Sequence, residues 1–233
     1  MLKTFNDGIN GIKYYITAEK AMKDQVHGLF ELVARIPKEK IRDKFRVEMG
    51  FFVFTFSKYR GGYQIVAPDF DGNPFSETTE DLTQALLIMV SQVSLLKQYR
   101  IDGAPCRFDD KIILTKGALD QPILGFERSA AASAGDSGWF IQGLRQGEDG
   151  QFEPVSPEGF EELDELPAEA YESVYAYQLL EKRPAAAQFL FFPRGFFAVM
   201  DGEKIREILN ENNESLILGP GDPDADCQKT VRV

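Results

Sequence analysis

The chain has 233 residues, 43% of them hydrophobic and 19 of them Phe, with 37 Asp and Glu against 26 Lys and Arg for a formal net charge of −11. That composition excludes a disordered polymer, and no stretch reaches the roughly 18 apolar residues of a membrane-spanning helix. The length allows one large domain or two small ones, each with its own core. In chain order, the apolar residues Met22, Val26, Leu29, Phe30 and Val33 recur at helical spacing between Ala18 and Ile36, and Pro37 ends the pattern. Phe- and Val-rich runs on either side of Arg60-Gly61-Gly62 predict a hairpin. Thr78 with Asp81 resembles a capping box, followed by a helix whose apolar stripe is Leu82, Ala85, Leu86, Met89, Val90, Val93 and Leu96. A short strand at residues 111–115 closes the first half.

Beyond Thr115 the texture changes to brief strands and turns. The segments "PILGFE" and "GWFIQGL" read as strands on either side of the small-residue stretch "RSAAASAGDS". "PAEAYESVYAYQLLEKRP" reads as a helix with Tyr171, Val174, Tyr175, Gln178 and Leu179 on one side, and "GFFAVM" as a further strand before an Asp201-Gly202 turn. The end, "GPGDPDADCQKTVRV", lacks an apolar period. The fold class expected is α+β, with two small domains that are each a mainly antiparallel sheet with packed helices. The domains expected are residues 1–111, 112–218 and a tail at 219–233, with the boundary between about Arg107 and Gly117.

Charge follows the same division. Residues 1–115 hold 16 Lys and Arg against 15 Asp and Glu, whereas residues 116–233 hold 10 against 22. Between Gln146 and Glu181 there are eleven carboxylates and no Lys or Arg. Such a field repels nucleic acid and attracts basic surfaces, although it also serves as an ordinary solvated face. The start of the chain lacks a basic segment followed by an apolar run, so a cytoplasmic location is expected. Cys106 and Cys227 then read as reduced thiols.

The chemistry-bearing spellings do not assemble a catalytic set. Gly135-Asp136-Ser137-Gly138 is spelled like the nucleophile loop of a trypsin-type protease, but a serine nucleophile needs a base, and the single histidine, His27, lies on the first predicted helix. Asp69, Asp71, Asn73 and Glu80 fall at EF-hand positions, yet Pro74 stands where that loop requires glycine. No His and Cys cluster suits zinc, and no glycine-rich phosphate loop is present. The expectation is no catalytic residue, no metal and no cofactor.

Around the only tryptophan, the segment "ILTKGALDQPILGFERSAAASAGDSGWFIQG" resembles the core of a bacterial domain, once catalogued as of unknown function and later numbered thirty-three among the immunity proteins of polymorphic toxin systems. Lys116, Arg128, Asp136, Ser137, Gly138 and Trp139 carry the resemblance, with Pro184, Pro193 and Gly195 downstream, over about residues 112–215. It implies a cytoplasmic immunity protein that occludes a cognate toxin; with the missing catalytic set, the acidic half and the lack of an apolar span, the expectation is a non-enzymatic protein with a protein partner, basic in character, and neither nucleic acid nor membrane. Candidate toxin-binding residues are Glu158, Glu161, Glu162, Glu165, Tyr171 and Tyr175, with Phe160 as a further anchor. Arg128, Asp136, Ser137, Gly138, Trp139, Pro193 and Gly195 form a signature that also reads as structural, a core anchor beside a capped turn. Two alternatives stay open: a non-catalytic scaffold or regulatory protein, and an enzyme using carboxylates of the acidic half.

Overall fold

The computed structural model describes residues 1–129, 133, 135–160 and 166–217. Strands β1 (Leu2–Ile9) and β2 (Ile12–Glu19) pair antiparallel about Asn10-Gly11, whose φ angles of 54° and 77° match a two-residue turn to the strand twist. Periodicity alone conceals this hairpin, because β1 fully buries only Phe5 and so shows no alternation. Helix α1 (Lys23–Ala34) buries Val26, Leu29, Phe30 and Val33 at the predicted spacing. It starts later than Ala18 because Ala18 and Glu19 finish β2.

The predicted hairpin around Arg60 is part of a three-strand meander: β3 (Phe45–Met49), β4 (Phe52–Tyr59) and β5 (Gly62–Pro68). Gly50, with φ 63°, supplies the turn that the continuous Phe-rich run disguises. The short β6 (Thr78–Thr79) pairs with β5. The sheet order is β1-β2-β5-β4-β3, with β2 and β5 parallel and the other pairs antiparallel. On one face Tyr14, Phe56 and Tyr63 make ring contacts, with Tyr14 and Phe56 at 5.9 Å edge to face. Gly62 is required where β5 meets β2, since a Cβ there would lie 1.9 Å from the Lys13 carbonyl oxygen.

Helix α2 (Thr83–Tyr99) begins after the predicted cap. Thr78 belongs to β6, and the cap is built instead by Asp81, whose Oδ1 accepts from the Thr83 amide at 2.9 Å. The buried stripe also turns: Leu82, Ala85, Leu86, Ile88, Gln92 and Leu95 are buried, while Val90 and Val93 are exposed. Apolar residues on every side of this helix leave its sequence without a single defined face.

The second sheet comprises β7 (Lys111–Thr115), β8 (Ile123–Arg128), β9 (Asp136–Gln146), β10 (Phe152–Pro154), β11 (Tyr171–Tyr175), β12 (Phe197–Asp201) and β13 (Lys204–Leu209), with α3 (Ala176–Lys182) after β11. Its order is β11-β7-β9-β8-β12-β13, with β10 pairing β9; β7 and β9 run parallel and the other pairs antiparallel. One face is the core, where Ile112, Leu114, Leu124, Phe126, Trp139, Ile141, Ala198, Met200 and Ile208 are at most 1% exposed. The helix expected across residues 167–183 is half strand: Tyr171–Tyr175 pairs with β7, and only Ala176–Lys182 is α-helical. Its aromatic and β-branched composition suits a pleated surface, so pairing overrides the helical spacing. The tail at 219–233, Cys227 included, lies outside the described residues.

The chain is thus α+β with two sheet-containing bodies. It divides into a unit Met1–Ser91 and a unit beginning at Gln92, the division falling inside α2, ahead of the interval between Arg107 and Gly117 expected from charge. Gly62→Ala should destabilise the first unit by roughly 1–3 kcal/mol, because backbone has to move to admit the methyl. Urea unfolding with an unchanged midpoint would show that β5 does not approach β2 in this way.

Candidate functional site

The signature residues converge on one buried cluster. Across the parallel β7–β9 ladder, Lys111 lies opposite Asp136 but Ile113 lies opposite Phe140, so β9 bulges between Asp136 and Phe140. The bulge leaves amides without ladder partners, and the side chains of its own residues satisfy them. Asp136 Oδ1 accepts from the Gly138 amide at 2.8 Å, and Ser137 Oγ accepts from the Trp139 amide at 3.0 Å. The Ser137 hydroxyl donates to the Lys111 carbonyl at 2.7 Å, tying the bulge back to β7. Gly138 takes φ 77°, a left-handed angle that explains glycine at this position.

Arg128, at the end of β8, is Trp139's cross-strand partner and is 3% exposed. Its Nε donates to the Ser137 carbonyl at 3.0 Å and its Nη2 to Pro105 at 2.8 Å, while Nη1 reaches the carbonyls of Phe192, Ala104 and, more weakly, Leu190. The guanidinium carbon stands 5.6 Å from the centre of the Trp139 ring. No carboxylate of the described residues pairs with it. Burial lowers the pKa of Arg128; Cys106 and Asp110 work against that shift and Arg194 adds to it. Trp139 is 1% exposed, donates from Nε1 to the Leu190 carbonyl at 3.2 Å and meets Phe126 edge to face. Gly195, at φ 84°, donates its amide to the Arg128 carbonyl, and Pro193 is half-buried beside it.

Ser137 is 2% exposed, and its hydroxyl is engaged by backbone on both sides. His27 lies on α1 in the first unit. In the calcium-like segment, Asp69 accepts from the Asp71 amide, and Asn73 donates its amide to Glu77 and accepts from the Phe75 amide. Among the described residues no group of three or more His, Cys, Asp or Glu side chains is arranged to hold a metal. Cys106 is buried and its thiol is pushed up to about 12, chiefly by burial, with Asp110 and Asp109 adding to the shift and Arg128 opposing it. Sequence reasoning did not single out Cys106, the 104–105 carbonyls or the 190–192 segment as parts of this cluster, since backbone acceptors leave no mark in residue type.

The acidic stretch lies apart from this cluster in character. Glu148, Asp149, Glu153, Glu158, Glu169, Glu172 and Glu181 are all exposed. Glu153 does find a cation: Arg145, just before the stretch, pairs with it at 3.0 Å across the β9–β10 hairpin. These two residues, with Glu148 and Asp149, line a shallow hollow around the hairpin turn. Glu158 is held through its amide, which donates to the Lys116 carbonyl at 3.1 Å. Tyr171 and Tyr175 sit half-buried on β11, on one face by strand alternation where helical spacing was expected. Phe160 is half-buried, and Glu161, Glu162 and Glu165 lie outside the described residues.

The second unit is thus an α+β body with a buried polar cluster and exposed carboxylates, and the family comparison adds to that description. Residues 91–169, about a third of the chain, match the family model of the Imm33-like domain. The match takes in Arg128 and the Asp136–Trp139 bulge. It begins ahead of the resemblance read at 112–215 and ends before Pro193 and Gly195. No curated protein and no solved structure matches the chain. No helix among the described residues is long and apolar enough to cross a membrane.

Trp139→Ala should destabilise by roughly 3–5 kcal/mol, as large aromatic truncations in cores do. Ser137→Ala should cost about 1–3 kcal/mol, since it strands the Lys111 carbonyl and the Trp139 amide. A Ser137→Ala protein with unaltered stability would show that the hydroxyl does not close the bulge. The buried Cys106 thiol should resist alkylation in the folded protein at pH 8. Its raised pKa favours the folded state's protonated thiol, so the protein should lose stability as pH rises above about 9, the ordinary thiol value, toward 12. Replacing Cys106 with Ser or Ala should remove that part of the pH dependence.

Proposed function

We propose that this chain is an immunity-type protein that binds and neutralises a cognate bacterial toxin by occluding it. The observation that carries the reading is the Imm33-like match over residues 91–169, which begins where the second compact unit begins. We take that unit as the immunity-like domain and Met1–Ser91 as a separate N-terminal domain. Immunity to a toxin made by neighbouring cells is exercised where the toxin acts, and the cytoplasm is the compartment proposed.

The exposed carboxylates between Glu148 and Glu181 support a basic partner, with the toxin's cationic substrate-binding surface as the target. Seven described carboxylates face water there, and only Glu153 is ion-paired. An exposed pair of that kind contributes about 1 kcal/mol or less. The field of the stretch is therefore free to steer a cationic surface, which raises association rates by roughly 10–1000-fold at low salt. Tyr171, Tyr175 and Phe160 supply aromatic area of the kind that anchors protein interfaces.

If the adjacent reading frame encodes a toxin domain, coexpression of this chain should restore growth to cells that carry it, and a neighbouring frame with no toxin would count against the reading. The association rate should fall steeply as salt rises through about 0.1 M, where the screening length is ~10 Å. Reversing Glu158, Glu161, Glu162 and Glu165 together to Lys should slow association at least tenfold and abolish protection while the melting temperature stays nearly unchanged. Protection that survives the reversal would move the binding surface away from this stretch. A wild-type chain that fails to protect would remove the immunity reading in favour of a scaffold role.

A further inference from the structure

Strand β11 ends its sheet, and among the described residues no strand pairs with its outer edge. Its register with β7 runs from Tyr171 opposite Thr115 to Tyr175 opposite Lys111. Beyond those ends the Lys116 amide donates to the Ala170 carbonyl and the Ala176 amide to the Asp110 carbonyl, each at 2.9 Å. Antiparallel pairing alternates, so Glu172 and Val174 direct their backbone groups at β7, while Tyr171, Ser173 and Tyr175 direct theirs away from it. The Tyr175 amide is taken by Gln178 Oε1 at 2.9 Å. The amides and carbonyls of Tyr171 and Ser173 have no partner among the described residues.

The two edges of this sheet are treated differently. At the other end β13 carries Lys204 and Arg206 and bulges by one residue opposite Val199 and Met200, and the Leu216 amide caps the Ile208 carbonyl. Charged lysines, bulges and covering segments are the usual protection against unwanted strand pairing. β11, with the sequence Tyr-Glu-Ser-Val-Tyr, has no cation, no proline and no bulge. Next to it the Tyr171 ring stands 6.1 Å from Phe140, and Ile113, which pairs with both Ser173 and Phe140, is 36% exposed. An unpaired backbone edge therefore adjoins an accessible apolar strip.

Charge selects the occupant. Glu158, Glu169 and Glu172 are exposed around this edge, and Lys111 is at its far end. A second copy paired antiparallel through Tyr171 and Ser173 would set Glu172 directly opposite the Glu172 of the other copy, a like-charge pair. We infer that the open edge of β11 receives an extended, cationic segment of the toxin as an added strand. The new ladder bonds come from Tyr171 and Ser173, and the side chains of the segment lie over the Tyr171–Ile113 strip and among the glutamates. This rests on the toxin-binding reading above and deepens it by naming the surface.

Ser173→Pro tests it, because proline removes only an outward-facing amide and is tolerated at a strand edge. Ser173→Ala keeps that amide. With a catalytically inactivated form of the toxin domain that the wild-type chain protects against as the probe, Ser173→Pro should bind at least tenfold more weakly and lose protection, and Ser173→Ala should match the wild type. In the wild-type complex the Tyr171 and Ser173 amides should exchange hydrogen at least tenfold more slowly than in the free protein, a readout independent of how well the proline variant folds. A wild-type complex that forms without slowing those amides overturns the edge-pairing inference and leaves the toxin-binding reading in place. A wild-type chain that neither binds nor protects overturns both.

Discussion

The second unit depends on a buried guanidinium that is balanced by backbone carbonyls in place of a carboxylate. Taking an ion out of water costs several kcal/mol unless its donors are all met. Arg128 engages Nε, Nη1 and Nη2 with carbonyls from three separate places: residues 104–105 before β7, Ser137 in the β9 bulge, and residues 190–192 after α3. A planar fork with five N–H donors suits this arrangement, and a lysine ammonium with three does not. Each of these segments is backbone outside the regular ladder, and the guanidinium supplies its carbonyls with donors. The cation and the loops satisfy one another, and the sequence therefore needs arginine at the end of β8.

The bulge transmits this constraint to the surface. Ser137 holds the Lys111 carbonyl, which sets where β7 begins, and among the described residues β7 is the only strand that β11 pairs with. Trp139 fills the space beneath the guanidinium and reaches the Leu190 carbonyl, so the indole and the cation grip the same segment. The spelling shared with protease loops thus arises from different physics. Here Ser137 lies in the β9 bulge beside Gly138, with its oxygen turned inward to repair a ladder.

How much of this was legible in the sequence differs from element to element. α1, β7, β8, β9 and β12 were readable because their apolar periods are uncontaminated by other signals. The first hairpin was not, since β1 buries one side chain fully and offers no alternation, although Asn10-Gly11 was a usable turn signal. β11 was misread because Tyr171, Val174 and Tyr175 satisfy helical spacing, whereas on the strand Tyr171 and Tyr175 share one face and Val174 lies on the other, and α3 follows without a break. Arg128 and the Asp136–Trp139 residues were recognisable as a group, but their partners are carbonyls, which any residue possesses. The pairing of Glu153 with Arg145 was hidden by drawing the acidic stretch from Gln146 onward, one residue past its cation.

The family match ends at Glu169, two residues before β11 begins. What the match covers is the frame: α2's second half, the guanidinium's loop, β7 to β10 and the bulge. A frame of this kind is costly to alter, because changing any of Arg128, Ser137 or Trp139 leaves buried polar groups unpaired. An edge strand is not so constrained. Alternate positions of β11 face outward, and their replacement leaves the β7 ladder intact. If the toxin docks on that edge, specificity for one toxin over another is set by side chains that the buried cluster does not restrict, and a common frame can serve different partners without being rebuilt.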